Sequence, residues 1–299
     1  AQQDINKLNS TIRSIVSKVP LIGDKYLSGI HLLDAGSNLS LSAKYFSQGI
    51  EQAQKAQTLP DRIAAFAQNS KNILPLLIEA QNDFNEINVE HIPAEKRDTF
   101  LKVKDNLPTL ISTLESFNSL SDFLVDASGG NEKKRYLVLF QNNAELRATG
   151  GFIGSYALVD IYKGELVNIE VPGGGSYDLQ GGLLDNVRPR EPLQLISDKW
   201  EFQDSNWFAD FPTAAEKIKW FYQKSGGPSV DGVIAINLPV VENMLAVLGP
   251  VEMEKYGKTL DSNNFWYEVQ KAVELEYNKS ENKPKNIISD LTPLLIERI

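Results

Sequence analysis

At 299 residues, 42% hydrophobic and 23% charged, the chain is long enough for two ordinary domains and too apolar for wholesale disorder. A net charge of −9 repels polyanions, and the short basic clusters Lys133-Lys134-Arg135 and Arg188/Arg190 are not interleaved with aromatics, so no nucleic acid is expected as a partner. The absence of Cys excludes disulfides, thiolate metal sites and a thiol nucleophile, and the two histidines, His31 and His91, both precede the second half, which excludes a Ser–His–Asp triad or a multi-His metal site there.

The first part, 1–130, reads as a helical bundle punctuated by prolines. Ile5, Leu8, Ile12, Ile15 and Val19 recur at three- and four-residue steps, one face of a first helix that Pro20 and Gly23 end. A second helix is expected from about Lys25 to Gln57, with a kink at Gly36-Ser37-Asn38. Leu59-Pro60-Asp61 opens a third, with Ile63, Phe66, Ile73, Leu74, Leu77 and Ile78 inward and a kink at Pro75. A fourth follows His91-Ile92-Pro93; its inward stripe is Phe100, Val103, Leu107, Leu110, Ile111, Leu114, Phe117 and Leu124, with Pro108 as a second kink. His31, among Ile30, Leu32 and Leu33, reads as a satisfied bundle residue.

Ser128-Gly129-Gly130-Asn131 marks the boundary, because the apolar period changes beyond it. The second part, 131–299, is expected to be an α/β domain with a mixed sheet, which makes the whole chain α+β. Arg135–Phe140 and Phe152–Tyr162 read as strands, and Lys163-Gly164 turns the second into Glu165–Val171. The Gly173-Gly174-Gly175 loop and a long irregular stretch lead to a helix near Asp210, whose cap precedes Pro212. Val230–Ile236 is another strand, and Asn237 opens a helix that Gly249-Pro250 ends. Val251–Met253 is a short strand, and helices are expected over about 262–277 and 284–298. The last runs toward Ile299 without a cap, so a longer natural chain is expected, and no apolar run here is long enough to span a bilayer.

The stretch Gln141-Asn142-Asn143-Ala144-Glu145-Leu146-Arg147-Ala148-Thr149-Gly150-Gly151-Phe152-Ile153-Gly154-Ser155-Tyr156 resembles the signature of a bacterial envelope family of unknown function, DUF4012. Asp204-Ser205-Asn206-Trp207 through Pro212, and Pro20–Asp24, are similar to it as well. More distantly, Val230–Asn237 through Leu248-Gly249-Pro250-Val251 resembles the LytR-CpsA-Psr enzymes, which attach glycopolymers from polyprenyl-pyrophosphate carriers to the cell wall. The resemblance implies an extracytoplasmic protein, held to the membrane by an anchor that is not in this chain, that handles a lipid-linked glycan or cell-wall polymer. It also implies magnesium as a possible cofactor and phosphoryl transfer as a possible activity. Arg147 matches the Arg of those enzymes, but their Asp and their Ser-Ile-Pro-Arg-Asp motif have no match; the latter would fall at Val171–Gly175. A non-catalytic binding or scaffold protein is therefore the alternative.

On this basis Arg147 is the candidate phosphate clamp, with Asn142, Asn143, Glu145, Arg188 and Arg190 as candidate substrate contacts. Structural hydrogen bonding in the loop, or a solvated surface, would also account for these side chains. Metal ligands cannot be named: Asp178, Asp185, Asp204 and Asp210 have the chemistry but not the spacing of a known loop. The glycine runs match no phosphate-binding fingerprint. Trp200, Trp207, Trp220 and Phe208 read as core before they read as a sugar-stacking surface. The transferase reading requires an apolar tunnel in the second domain with Arg147 at its mouth.

Overall fold

The computed structural model describes residues 23–195 and 197–298, and the predicted helix of Ile5–Val19 lies outside them. The chain divides into two compact units, Ala1–Glu132 and Lys133–Ile299. It is an α+β protein with seven α-helices among the described residues.

The first unit holds α1 (Gly23–Lys55), α2 (Leu59–Glu86) and α3 (Ala94–Ala127). Thr58 caps α2 by accepting from the Asp61 amide, with Pro60 in the first turn. The core is Ile73, Leu77, Ala80 and Phe84 of α2 against Phe100, Leu107, Ile111 and Leu114 of α3. From α1 come Ser28, Ala35, Ser42 and Gly49, small side chains at every seventh position. This spacing keeps one narrow seam facing α2 and permits close approach: a Cβ on Gly49 would sit 3.1 Å from the Asn69 Cβ. Close packing along this seam outweighs the weak helix propensity of Gly36-Ser37-Asn38, so the chain stays helical through it from Gly23 to Lys55. Pro75 and Pro108 likewise lie inside continuous helices. Ile78, Leu110 and Leu124 are exposed rather than inward; the arc each helix covers is narrower than its apolar stripe. Both histidines bridge elements, His31 to Asp83 and His91 to Ser28, each at 2.8 Å.

The second unit is built on a four-stranded mixed sheet of β1 (Lys134–Asn142), β2 (Phe152–Tyr162), β3 (Glu165–Glu170) and β4 (Gly232–Asn237), in the order β3-β2-β1-β4. β1 is antiparallel to β2 and parallel to β4. Cross-strand partners share a face. Leu139 opposite Tyr156 and Leu137 opposite Leu158 look toward α4 (Phe211–Lys224), where Ile218, Phe221 and Tyr222 join Trp200, Phe202 and Leu193 in the larger core. Asp210 caps α4 through the Thr213 amide. Phe140 opposite Ser155 and Asn142 opposite Phe152 look the other way.

A second core follows, from α5 (Leu238–Leu248) through the hairpin β5 (Val251–Met253) and β6 (Lys258–Leu260) to α6 (Phe265–Lys271) and α7 (Asn286–Ile296). The expected helix over 262–277 is two pieces: α6 ends in a π-turn, Ala272–Glu276. In this turn region Lys258 holds Glu268 at 2.5 Å and Glu276 at 3.0 Å, while Lys271 holds Glu276 at 2.7 Å.

The sheet's far end is fastened by charge. Asp160 is buried and accepts from Arg135 at 2.6 and 2.9 Å and from Lys133 at 3.0 Å. The Arg135 guanidinium, aided by Lys133 and opposed by burial, lowers the Asp160 carboxyl from its ordinary value to about 2. A carboxyl whose folded pKa is depressed adds stability above its unfolded pKa and loses it as pH falls through the folded one. Asp160→Asn is therefore expected to cost about 1–2 kcal/mol at pH 7, discounted because both cations are partly exposed, and almost nothing at pH 2. Urea midpoints of both proteins at the two pH values check this.

Candidate functional site

The two cores of the second unit do not close completely. Between the Phe140/Ser155 face of the sheet and the C-terminal helices lies a cavity of about 370 Å³, within the size range of small-molecule sites. Its aliphatic wall includes Ile236, Leu238, Val241, Val269, Leu291 and Leu295, and Phe140, Phe152 and Phe265 add aromatic surface. Lys285, Glu145, Glu274, Asn142 and Ser155 supply polar groups. The π-turn contributes Val273 and Glu274 to the lining; such turns are frequent at functional sites.

Lys285 stands just before α7, where its amide donates to the Gly173 carbonyl at 2.8 Å and so ties the helix start to the glycine loop. Burial pushes its ammonium below the ordinary lysine range, with Glu145 and Glu274 pulling weakly the other way. These three charges therefore share one region of the cavity without forming an ion pair.

Arg147 lies elsewhere. It is absent from the cavity lining and borders a shallow depression with Leu146, Ala148 and Trp207. Its Nε and Nη2 donate to one Asp204 oxygen at 3.1 and 2.9 Å, and its Nη1 donates to the Leu146 carbonyl at 3.0 Å. The guanidinium also lies 5.2 Å from the centre of the Phe152 ring. A phosphate clamp needs free donors aimed at the ligand; these donors are spent on the protein.

The other candidates divide. Asn142 and Glu145 line the cavity, with the Asn142 amide donating to the Glu145 carboxylate at 3.0 Å. Asn143 borders a separate shallow depression beside Leu238 and Trp266. Arg188 donates to Gln194, and Arg190 lies over the Trp200 and Phe208 rings; neither lines the cavity. The amides of Gly174 and Gly175 donate to Asp178 and to the Pro172 carbonyl, so they are not aimed at a phosphate. Trp200 is core, packed 5.1 Å from Phe221. The resemblance implies magnesium, but among the described residues no three His, Asp or Glu side chains come together closely enough to hold a cation. The described residues therefore form no protein cage for the ion.

The signature residues instead make a clasp. Arg147 grips Asp204, and the Trp200 indole donates to the Asp204 carbonyl at 2.8 Å. Asn206, fully buried, donates to the Gly151 carbonyl at 2.7 Å, and the Phe152 amide donates to the Glu145 carbonyl at 2.9 Å. Two stretches far apart in sequence thereby shape the loop that opens β2.

Both stretches fall in one family segment: residues 131–273 match a family described as proteins of unknown function, DUF4012. No curated protein and no solved structure matches the chain. The DUF4012 segment supplies the sheet, the clasp and one wall of the cavity, whereas Lys285 and α7 lie beyond it.

Proposed function

We propose that this is an extracytoplasmic envelope protein that binds an isoprenoid-linked glycan, taking the lipid chain into the cavity of the second unit and holding it rather than transferring it. One observation carries the reading: a largely aliphatic and aromatic cavity with a few charged groups gathered in one region, the arrangement an amphiphile requires. The resemblance of Gln141–Tyr156 to an envelope family supports the location. Among the described residues no helix is long and apolar enough to cross a membrane. Holding is favoured over transfer because Arg147, the one residue that matched the transferases, is engaged with Asp204.

The test is saturable binding of a C20 isoprenoid to the purified chain. Ile288 and Thr292 are half-buried lining residues of α7, and Ile288→Trp or Thr292→Phe enlarges a side chain at the cavity wall. Each is expected to weaken binding at least tenfold with unchanged circular dichroism, about the effect of losing 1.4 kcal/mol of chain burial. Failure of the unaltered protein to bind any C20 alcohol, phosphate or glycosyl phosphate would sink the reading.

A further inference from the structure

The polar groups of the cavity are not equally satisfied. Among the described residues the Lys285 ammonium makes no hydrogen bond or ion pair. Ser155 is 1% exposed, and its hydroxyl has no partner among the described residues. Because Ser155 pairs across the sheet with Phe140, it sits on the cavity face of β2. The Lys285 ammonium lies over the preceding residue, 3.7 Å from where a Gly154 Cβ would be. A half-buried cation and a buried hydroxyl without partners, set against consecutive residues of one strand, are two donors for one acceptor.

The surrounding charge limits that acceptor. Glu145 and Glu274 are exposed, line the same cavity and act on Lys285 electrostatically. The single cation of the lining can pair with at most one negative group. A diphosphate would bring further charge against the carboxylates with no second cation in the lining. The carboxylates are, however, ready acceptors for hydroxyl groups. A free fatty acid ends at its charged group and offers them nothing. A phosphodiester continues past its charge into whatever it carries, and so can present sugar hydroxyls to Glu145 and Glu274.

We propose that Lys285 and Ser155 form the recognition point for a single phosphate that joins the apolar chain to a hydroxylated head, and that the site discriminates against diphosphates. This rests on the cavity's being a chain-binding site, and it narrows the class of carrier. Lys285 here is a binding residue; no bond is made or broken.

Calorimetric titration of the whole chain tests it, with a geranylgeranyl monophosphate whose phosphate is also esterified to glucose, geranylgeranyl diphosphate, geranylgeraniol and palmitate. The monophosphate is expected to bind about tenfold more tightly than the alcohol, the effect of one charge-assisted hydrogen bond, and more tightly than the diphosphate. Lys285→Met should bring the monophosphate down to the level of the alcohol, while Lys285→Arg retains most of the preference. Gly154→Ala adds a methyl beside the ammonium, where its nearest contacts are ordinary at 3.7 to 3.9 Å, and should weaken the monophosphate alone. Equal affinity for monophosphate and alcohol, or a preference that survives Lys285→Met, overturns the anion site while alcohol binding still upholds the cavity. Diphosphate binding as tight as the monophosphate overturns the charge limit, and palmitate binding as tight overturns the phosphate assignment. If none of the C20 compounds binds, the chain-binding reading and this proposal fall together.

Discussion

Arg147→Ala is expected to destabilise the DUF4012 segment by about 3 kcal/mol while leaving lipid affinity unchanged at temperatures where the protein stays folded. The reason is the clasp. The Arg147 and Asp204 side chains are only 17% and 11% exposed, so removing either leaves the other charge largely desolvated and without its partner. Asp204→Ala should cost a similar amount. The double variant should cost little more than either single one, because the second substitution removes the stranded charge. For a unit of this size about 3 kcal/mol corresponds to a melting shift of roughly 6–12 °C, readily measured by calorimetry. A phosphate clamp would behave oppositely, with affinity lost and stability kept or raised. Additive costs across the cycle would mean that the pair is not coupled as drawn.

The same pair shows what could be read from sequence and what could not. The helices of the first unit and the strands β1 to β4 announce themselves because burial imposes a local period, and Leu137, Leu139, Tyr156 and Leu158 follow it. Arg147 also stands out locally, but its role depends on Asp204, 57 positions away across an irregular stretch with no period to follow. Lys285 carries no strong local signal either: it falls in the first turn of the helix expected over about 284–298, after a polar stretch, where a lysine reads as an ordinary solvated charge. Only the packing of α7 against the sheet turns its side chain into a cavity cation. A basic residue just ahead of an apolar helix is a weak signal, yet it was the one available. β6 gives no such signal: Lys258-Thr259-Leu260 holds one apolar residue, whereas Val251 and Met253 of the equally short β5 alternate, although Tyr256-Gly257 marks the turn before β6. The weak middle of α1 stays helical for the converse reason. Propensity at Gly36 is a fraction of what the close α1–α2 seam supplies through Ser28, Ala35, Ser42 and Gly49.

Two glycines three positions apart should give opposite results, and they separate the architecture of the site from its recognition chemistry. Gly151 has φ of +143°, and a Cβ there would lie 2.3 Å from the Asn142 carbonyl oxygen and 2.7 Å from the Asn143 amide nitrogen. Both contacts are with backbone, so no side-chain rotation relieves them, and the loop that opens β2 would have to move. That loop carries Glu145 and the Gly151 carbonyl that Asn206 binds, so Gly151→Ala should cost more than about 4 kcal/mol. The expected observation is loss of the near-ultraviolet dichroism of Trp200 and its neighbours, with every lipid ligand lost alike. Gly154→Ala meets nothing closer than 3.7 Å and should keep that spectrum intact. If Gly151→Ala folds normally, the loop is not fixed by this close approach, and the signature glycines need another explanation. If Gly154→Ala unfolds the protein, it cannot report on the space beside Lys285, and the comparison of Lys285→Met with Lys285→Arg decides the anion site.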